Sequence, residues 1–134
     1  DWMEVPSMSD IANRVSDAEA EVLKVLWASH TPMTERQITD ALRDESDWSP
    51  TTMKTLLKRL YDKGAVRREK RDVFYYTPAL SQADFAKGRT VDLLNKVFGG
   101  NAKSLVSTML SQDILSEGDI DELKKYWHER GKKE

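Results

Sequence analysis

Hydroxyl and basic side chains are concentrated in one stretch of the sequence, DWSPTTMKTLLKRLYDKG, which covers residues 47–64. Apolar residues recur in it at the three- and four-residue spacing of a buried helix face, at Met53, Leu56, Leu57, Leu60 and Tyr61. The opposite arc has no acid before Asp62 and carries Thr51, Thr52, Lys54, Thr55, Lys58 and Arg59. Small hydroxyls at the front of a helix fit the major groove of DNA and can meet base edges, while cations reach bases or phosphates. The pattern therefore favours binding to double-stranded DNA.

The positive charge continues beyond this stretch. From Pro50 to Arg71 the chain has eight basic and two acidic residues, a net +6, whereas the whole chain has a net charge of −2 and the remainder therefore −8. The segment after the candidate helix contributes Arg67, Arg68, Lys70 and Arg71. A block of one charge sign on a folded element steers an oppositely charged partner, and phosphate is the obvious candidate.

Local signals predict the elements that would position these residues. Ser16 with Glu19 forms a capping box and predicts a helix over 17–29, and Thr34 with Gln37 does the same for a second helix. The stretch quoted above follows as a third helix, with Ser49 as its N-cap. Pro50 suits the first helical position, and Gly64 is a left-handed stop.

The periodicity changes after Gly64. AVRREKRDVFYYTP has β-branched and aromatic residues on either side of a charged centre, which predicts a hairpin with its turn near Lys70-Arg71-Asp72. Because that turn lacks glycine, the pairing register stays open. Three helices followed by such a basic hairpin indicate a winged helix-turn-helix, with the hairpin as the wing beside the third helix.

Three further helices are expected after Pro78. Ser81 begins the first, which Gly99-Gly100 ends, and Ser116 with Asp119 begins the last. Their apolar stripes contain Leu94, Val97, Phe98, Leu105, Val106, Met109, Leu110, Ile120, Leu123 and Trp127. Three short helices offer one another little burial, so we expect these residues to pack on a second copy in a homodimer. The alternative is a monomer whose helices fold back on the N-terminal unit.

The fold class expected is thus mainly α with a small β-hairpin wing. We assign residues 15–79 to a winged-helix DNA-binding domain and residues 80–134 to a helical dimerisation domain. Residues 1–14 are expected to be an N-terminal extension, and residues 1–9 are left out of the fold prediction because they show no periodicity.

Composition narrows the remaining chemistry. The chain has 134 residues and no cysteine, which excludes disulfides, thiolate metal sites and cysteine nucleophiles. No apolar run is long enough for membrane insertion, so the cytoplasm is the expected location. The two histidines, His30 and His128, lie far apart, and there is no Gly-rich phosphate loop. We therefore expect no enzyme activity, no metal and no cofactor.

Several blocks resemble the penicillinase and methicillin-resistance repressors together with the copper-responsive repressors, the BlaI/MecI/CopY type. They are VSDAEAEVLKVLW, DWSPTTMKTLLKRLYDKG, FYYTP and LSEGDIDELKKYW, in a likeness that runs from about Val15 to Trp127. The resemblance implies a dimeric winged-helix repressor that binds an inverted-repeat operator with TACA/TGTA-like half-sites. It implies major-groove positions for Thr51, Thr52, Lys54 and Thr55 and backbone contacts for Arg59 and Arg71. Close relatives often have lysine in place of Thr51, which puts the half-site preference in doubt.

The resemblance also bears on how such a repressor is released. In antibiotic-responsive members a membrane sensor system triggers cleavage of an Asn-Phe bond, which aligns here with Thr108-Met109 as the candidate proteolytic site. Copper-responsive members use a C-terminal cysteine cluster, and this chain has no cysteine. The residues therefore support neither mechanism by themselves.

Two other interpretations of the sequence remain open. The chain could be a copper-responsive type that lacks the cysteine cluster. It could also be a winged-helix protein-interaction module without specific DNA binding, in which the threonines and lysines only solvate an exposed helix face. Salt dependence separates the last alternative, because the affinity for DNA falls steeply with rising salt as the release of counterions from the phosphates becomes less favourable.

Overall fold

The computed structural model describes residues 7–133, with side chains to residue 131, and the chain divides into two compact units between Asp92 and Leu93. The first unit contains α1 (Met8–Arg14), α2 (Asp17–Ala28), β1 (Met33–Thr34), α3 (Glu35–Leu42), α4 (Pro50–Asp62), β2 (Val66–Lys70), β3 (Phe74–Pro78) and the start of α5 (Gln82–Phe98). The second contains the end of α5, α6 (Ala102–Ser111) and α7 (Glu117–Lys133).

The predicted helix starts are confirmed. In the first capping box the hydroxyl of Ser16 accepts from the backbone N–H of Glu19 at 3.1 Å, and the Glu19 carboxylate accepts from the Ser16 N–H at 3.0 Å. Thr34 and Gln37 repeat the arrangement at 3.2 and 2.9 Å. Two otherwise unpaired N–H groups are satisfied at each start, which is why these positions mark the helix ends in the sequence.

Helix α4 has the ends that its sequence predicts. Ser49 Oγ accepts from the N–H of Thr52 at 3.1 Å, and Pro50 is the first helical residue. At the other end Gly64 adopts φ of +82°, and the N–H of Ala65 returns to the carbonyl of Leu60 at 2.9 Å. This left-handed termination needs a residue without a Cβ, and it turns the chain directly into β2.

The hairpin belongs to a three-stranded antiparallel sheet with the order β1-β3-β2. Val66 pairs with Pro78 and Lys70 with Phe74, which fixes the register that the sequence left open. The turn lies over residues 71–73, where the N–H of Arg71 donates to the carbonyl of Val73 at 2.9 Å. Strand β1 was not predicted; its two residues pair with Tyr75 and Tyr76 of β3.

The core of the first unit lies between α2, α3, α4 and the hairpin. Its largest fully buried apolar side chains are Leu23, Leu26, Ile38, Met53, Leu57, Leu60, Leu80 and Val22. The winged helix-turn-helix is therefore confirmed, and four of the five residues predicted for the inner face of α4 are buried. The fifth, Tyr61, is 41% exposed. It lies at the edge of the helix, where its ring meets Arg68 of the wing.

The N-terminal extension assigned to residues 1–14 contains a helix that was not predicted from the sequence, α1 over residues 8–14; residues 1–6 lie outside the described part of the chain. Helix α1 buries Ile11 and Ala12. Gly88 of α5 packs so closely that an added Cβ would lie 2.6 Å from the Cβ of Ala12. Arg89 donates to the carbonyls of Ala12 and Val15 and so satisfies the end of α1. A seven-residue helix is thus held by contacts from a distant segment.

The second unit differs from the first in how little of its side-chain surface is buried. Its predicted helix starts are present, and at α7 the Ser116 N–H and hydroxyl hold the pKa of the Asp119 carboxyl below its usual value. Within residues 93–131 no side chain is buried in the single chain. The large exposed apolar residues of this unit are Leu93, Val97, Val106, Leu110, Ile114, Leu123, Tyr126 and Trp127. Across the described residues, no helix combines the length and the apolar character needed to cross a membrane.

Candidate nucleic-acid interface

The outer face of α4 collects the residues that the sequence predicts for it. Thr51, Thr52, Lys54, Thr55, Lys58 and Arg59 are all exposed. The 3.6-residue repeat places them opposite the buried face, and the two residues before the helix, Trp48 and Ser49, anchor its start. Trp48 packs against the core and Ser49 caps the helix. The exposed face of α4 is therefore held in place by the buried residues on the opposite side of the helix and by the contacts at its start.

Two of the threonine hydroxyls, those of Thr52 and Thr55, already have partners in the helix or its N-cap. Thr55 Oγ1 donates to the carbonyl of Thr51 at 3.0 Å, and the hydroxyls of Thr52 and Ser49 lie 3.1 Å apart. With its proton used, Thr55 Oγ1 keeps acceptor capacity only, which suits an exocyclic amino group of a base. Its methyl group remains available for an apolar contact such as the methyl of thymine.

The three cations of this face differ in their pairing. Lys54 Nζ donates to Glu35 Oε2 of α3 at 2.8 Å. Lys58 pairs with Asp62, one turn further along α4, at 2.7 Å. Arg59 has no acidic group within 4.0 Å in the described part of the chain. The Lys58 pair is exposed on both sides, and such pairs contribute little stability, so Lys58 can exchange Asp62 for an approaching phosphate.

The wing cations do not share one surface, because side chains alternate along a strand. Arg68 lies on the face toward α4, with its Cζ 3.7 Å from the ring centroid of Tyr61 and 4.3 Å from that of Phe74. Arg67 lies on the other face and is exposed. The structure therefore separates Arg68, held between two rings, from its neighbour Arg67.

The tip of the wing carries the other two cations. Lys70 Nζ lies 4.9 Å from the Phe74 ring centroid, on the side toward α4. Arg71 is in the turn, where it pairs with Glu69 at 3.3 Å and lies 4.8 Å from the Tyr75 ring centroid. Both side chains are exposed, so both can reach a polyanion that lies along the wing.

A cleft of about 450 Å³ joins the helix face to the wing. It is lined by Thr34, Glu35, Arg36, Lys54, Lys70, Val73, Phe74 and Tyr76. This lining includes two aromatic rings, three cations and one carboxylate. The lining brings together three elements that are separate in sequence: the start of α3, the start of α4 and the wing.

The sequence did not single out Glu35, the one acid of this cleft. An acidic residue in the first turn of a helix is ordinarily explained by the helix dipole, and its partner lies 19 residues away. No local signal therefore connects Glu35 with Lys54. The described residues also contain no cluster of three or more histidine, aspartate or glutamate side chains that could hold a metal ion.

The residues predicted for dimerisation lie on α5, α6 and α7. In the single chain Val97, Val106, Leu110, Leu123 and Trp127 are exposed. The remaining five, Leu94, Phe98, Leu105, Met109 and Ile120, are half-buried. The Thr108-Met109 bond lies inside α6, where the Thr108 hydroxyl donates to the carbonyl of Ser104 at 2.9 Å.

Known proteins of similar sequence cover most of this chain. The sequence model of a family described as Penicillinase repressor matches residues 15–129. The penicillinase repressor of Bacillus licheniformis is 38% identical over 111 residues, which are 82% of this chain and 86% of that protein. The methicillin resistance regulatory protein MecI of Staphylococcus aureus (strain N315) is 31% identical over 118 residues, 87% of this chain and 95% of that protein.

One similar solved structure is a solution structure of the Bacillus licheniformis BlaI monomeric form in complex with the blaP half-operator. Its chain is 38% identical and aligns with a TM-score of 0.46, covering 60% of this chain and 90% of that one.

Proposed function

The chain belongs to the penicillinase repressor family, and from that premise we propose that it is a homodimeric transcriptional repressor that binds an inverted-repeat DNA operator. Members of the family are repressors and not enzymes. The proposal assigns DNA binding to residues 15–79 and dimerisation to residues 80–134, as the sequence predicts. The inverted repeat follows from two-fold symmetry, since each copy presents one α4 to one half-site.

One observation carries the DNA-binding part of the proposal. On α4 every residue predicted to face the groove is exposed, while Met53, Leu56, Leu57 and Leu60 are buried beneath them. The exposed side chains are cations and small hydroxyls, which leaves the helix thin enough to enter a major groove. We assign base contacts to Lys54, Thr51, Thr52 and Thr55, and backbone contacts to Lys58 and Arg59.

The wing supplies further backbone contacts in this proposal. Arg67, Lys70 and Arg71 are exposed and can bind phosphates. Arg68, predicted from the sequence as a fourth contact, is enclosed by Tyr61 and Phe74. We assign it to holding the wing beside α4, where it acts on DNA binding through the position of its neighbours.

Exposed apolar side chains support the homodimer. Trp127 is 71% and Leu123 53% exposed in the single chain. Apolar patches that remain uncovered in a monomer mark interaction surfaces, and a second copy provides matching stripes.

The proposal includes no proteolytic signal from a membrane sensor. The aligned bond, Thr108-Met109, lies within a hydrogen-bonded helix and has neither the Asn nor the Phe of the cleaved bond.

A mobility-shift experiment tests the proposal. The purified protein is first used to select duplexes from a random-sequence pool, and binding to the selected duplex is then compared with a scrambled one at several salt concentrations. We expect enrichment of a two-fold symmetric sequence and a steep linear fall of log affinity with log salt. A protein-interaction module would enrich no sequence, and that result would contradict the proposal.

A further inference from the structure

Lys54 differs from the other predicted DNA-contacting cations of α4 in how it is held. Its ammonium donates to Glu35 Oε2 at 2.8 Å, and Glu35 belongs to another helix, 19 residues earlier in the chain. Lys58 pairs only within its own helix, with Asp62, and Arg59 has no acidic partner in the residues described. Lys54 is thus held by a residue outside α4, whereas Lys58 is held only from within the helix and Arg59 by no acid in the residues described.

Glu35 is well placed to keep this restraint. It is the first residue of α3, where the helix dipole stabilises a negative charge. Its side chain is 31% exposed, half as much as the 66% of Lys54, so solvent screens the carboxylate less than the ammonium. Both line the cleft between α4 and the wing, together with Lys70 and the ring of Phe74. The pair therefore lies at the junction where DNA would meet the helix and the wing.

The pairing changes what Lys54 can do for DNA. An ammonium has three donors, and the bond to Glu35 leaves two, which match the O6 and N7 acceptors of one guanine. Nonspecific binding, in contrast, depends on net positive charge near phosphates and on the counterions released. The Glu35 carboxylate compensates the charge of Lys54 without using all its donors.

We propose, resting on the function proposed above, that Glu35 is a specificity-determining residue of the DNA surface. It holds Lys54 as an oriented, charge-compensated donor toward a base edge and keeps it from binding phosphates. Glu35 acts through Lys54, so its effect must disappear when Lys54 loses its charge. Removal of the carboxylate from a different lysine–carboxylate pair of α4 must not reproduce this effect.

The test compares five forms of the full chain: the original protein, Glu35→Gln, Lys54→Gln, the double variant, and Asp62→Asn as a matched control. Asp62→Asn also removes one carboxylate from a lysine of α4. Each form is titrated with the duplex selected from a random pool and with a scrambled duplex. Circular dichroism melting verifies that every variant is folded.

We expect Glu35→Gln to bind the scrambled duplex about two- to fivefold more tightly, the range set by the coupling of an exposed ion pair. The affinity for the selected duplex should increase less, so the ratio of the affinity for the selected duplex to that for the scrambled duplex should fall. The salt slope on scrambled DNA should steepen by about 0.9 as one more phosphate is neutralised. Asp62→Asn should increase the affinity for both duplexes by the same factor and leave their ratio unchanged. In the Lys54→Gln background, Glu35→Gln should leave the ratio as it is.

Different failures have different meanings. If a sequence is selected but Glu35→Gln and Asp62→Asn change the ratio equally, the carboxylate acts only as a distant charge and this inference is overturned alone. The inference is also overturned if Glu35→Gln still changes the affinity ratio in the Lys54→Gln background. If the original protein selects no sequence, the proposed function and this inference both fail.

Discussion

The guanidinium of Arg68 lies over the ring of Tyr61, with Cζ 3.7 Å from the ring centroid. This contact joins the wing to the end of α4, and the ring of Phe74 covers the guanidinium from the hairpin side at 4.3 Å. Arg68, which its charge alone would place among the DNA-binding cations, is therefore assigned to packing. Mutation can distinguish packing from phosphate binding at this position.

Arg68→Ala should destabilise the fold, whereas Arg67→Ala should weaken DNA binding. Cation–π contacts contribute about 0.5–1 kcal/mol each when exposed, so loss of both from Arg68 should lower the free energy of unfolding in urea by about 1–2 kcal/mol. The salt slope of DNA binding should stay unchanged. Arg67→Ala is the matched variant on the opposite face, and we expect it to reduce the slope by about 0.9 without changing stability. The reverse pattern would make Arg68 the phosphate contact.

Lys54→Ala and Thr55→Ala should each reduce discrimination between operator and random DNA by about 1–3 kcal/mol, because both are assigned to base edges. Arg71→Ala should weaken binding to all sequences alike, since a phosphate contact has no sequence information. Titrations of each variant on both duplexes measure the difference. Equal losses on operator and random DNA for all three variants would contradict the assignment of base contacts.

Glu19 supports α4 from within the core and should be sensitive to substitution. Its side chain is 2% exposed and accepts from Lys63 Nζ at 2.5 Å, which ties the start of α2 to the end of α4. Glu19→Gln keeps a capping group but leaves the Lys63 charge uncompensated, and we expect a loss of about 2 kcal/mol in urea unfolding. The matched variant Glu21→Gln breaks an exposed pair with Lys24 and should lose less than about 0.5 kcal/mol. Similar losses for both would show that burial of the Glu19 pair contributes nothing.

Leu123→Asp or Trp127→Asp should convert the proposed homodimer to a monomer. A carboxylate in an apolar interface must be desolvated without a partner, and the dimer cannot offset that penalty. Sedimentation should show half the mass, and affinity for the full operator should fall because each half-site is then bound separately. Lys125→Asp lies on the opposite side of α7 and should remain dimeric. An unaltered dimer in the first two variants would relocate the interface.

Gly88→Ala should disturb the docking of α1 on α5. The new methyl would lie 2.6 Å from the Cβ of Ala12 and 3.3 Å from the backbone of Ser9, so α1 has to shift. Overpacking of this kind costs about 1–3 kcal/mol, more than the gain in helix propensity. Gly131→Ala, which meets no atom within 4 Å, provides the control and should not destabilise the protein. Equal thermal stability of both variants would indicate that α1 adapts without strain.

Much of the fold could be predicted because its signals are local. The capping boxes at Ser16 and Thr34, the start at Ser49 and the stop at Gly64 each depend on groups within one or two turns of helix. Apolar periodicity identified the buried face of α4 for the same reason, and with it the exposed residues of the candidate site. The family could also be recognised, since its blocks are continuous stretches of sequence.

Tertiary structure alone decided the features that depend on partners far along the chain. Helix α1 is stabilised by Gly88 and Arg89, and β1 exists only because β3 is beside it. Strand register decided that Arg68 meets Tyr61 while Arg67 does not. The pairing of Glu35 with Lys54 likewise needs two helices to be brought together. The sequence by itself determined which residues are helical, buried or charged, because these are properties of neighbours along the chain. It left open which charges meet, because that depends on contacts that only the packed fold creates.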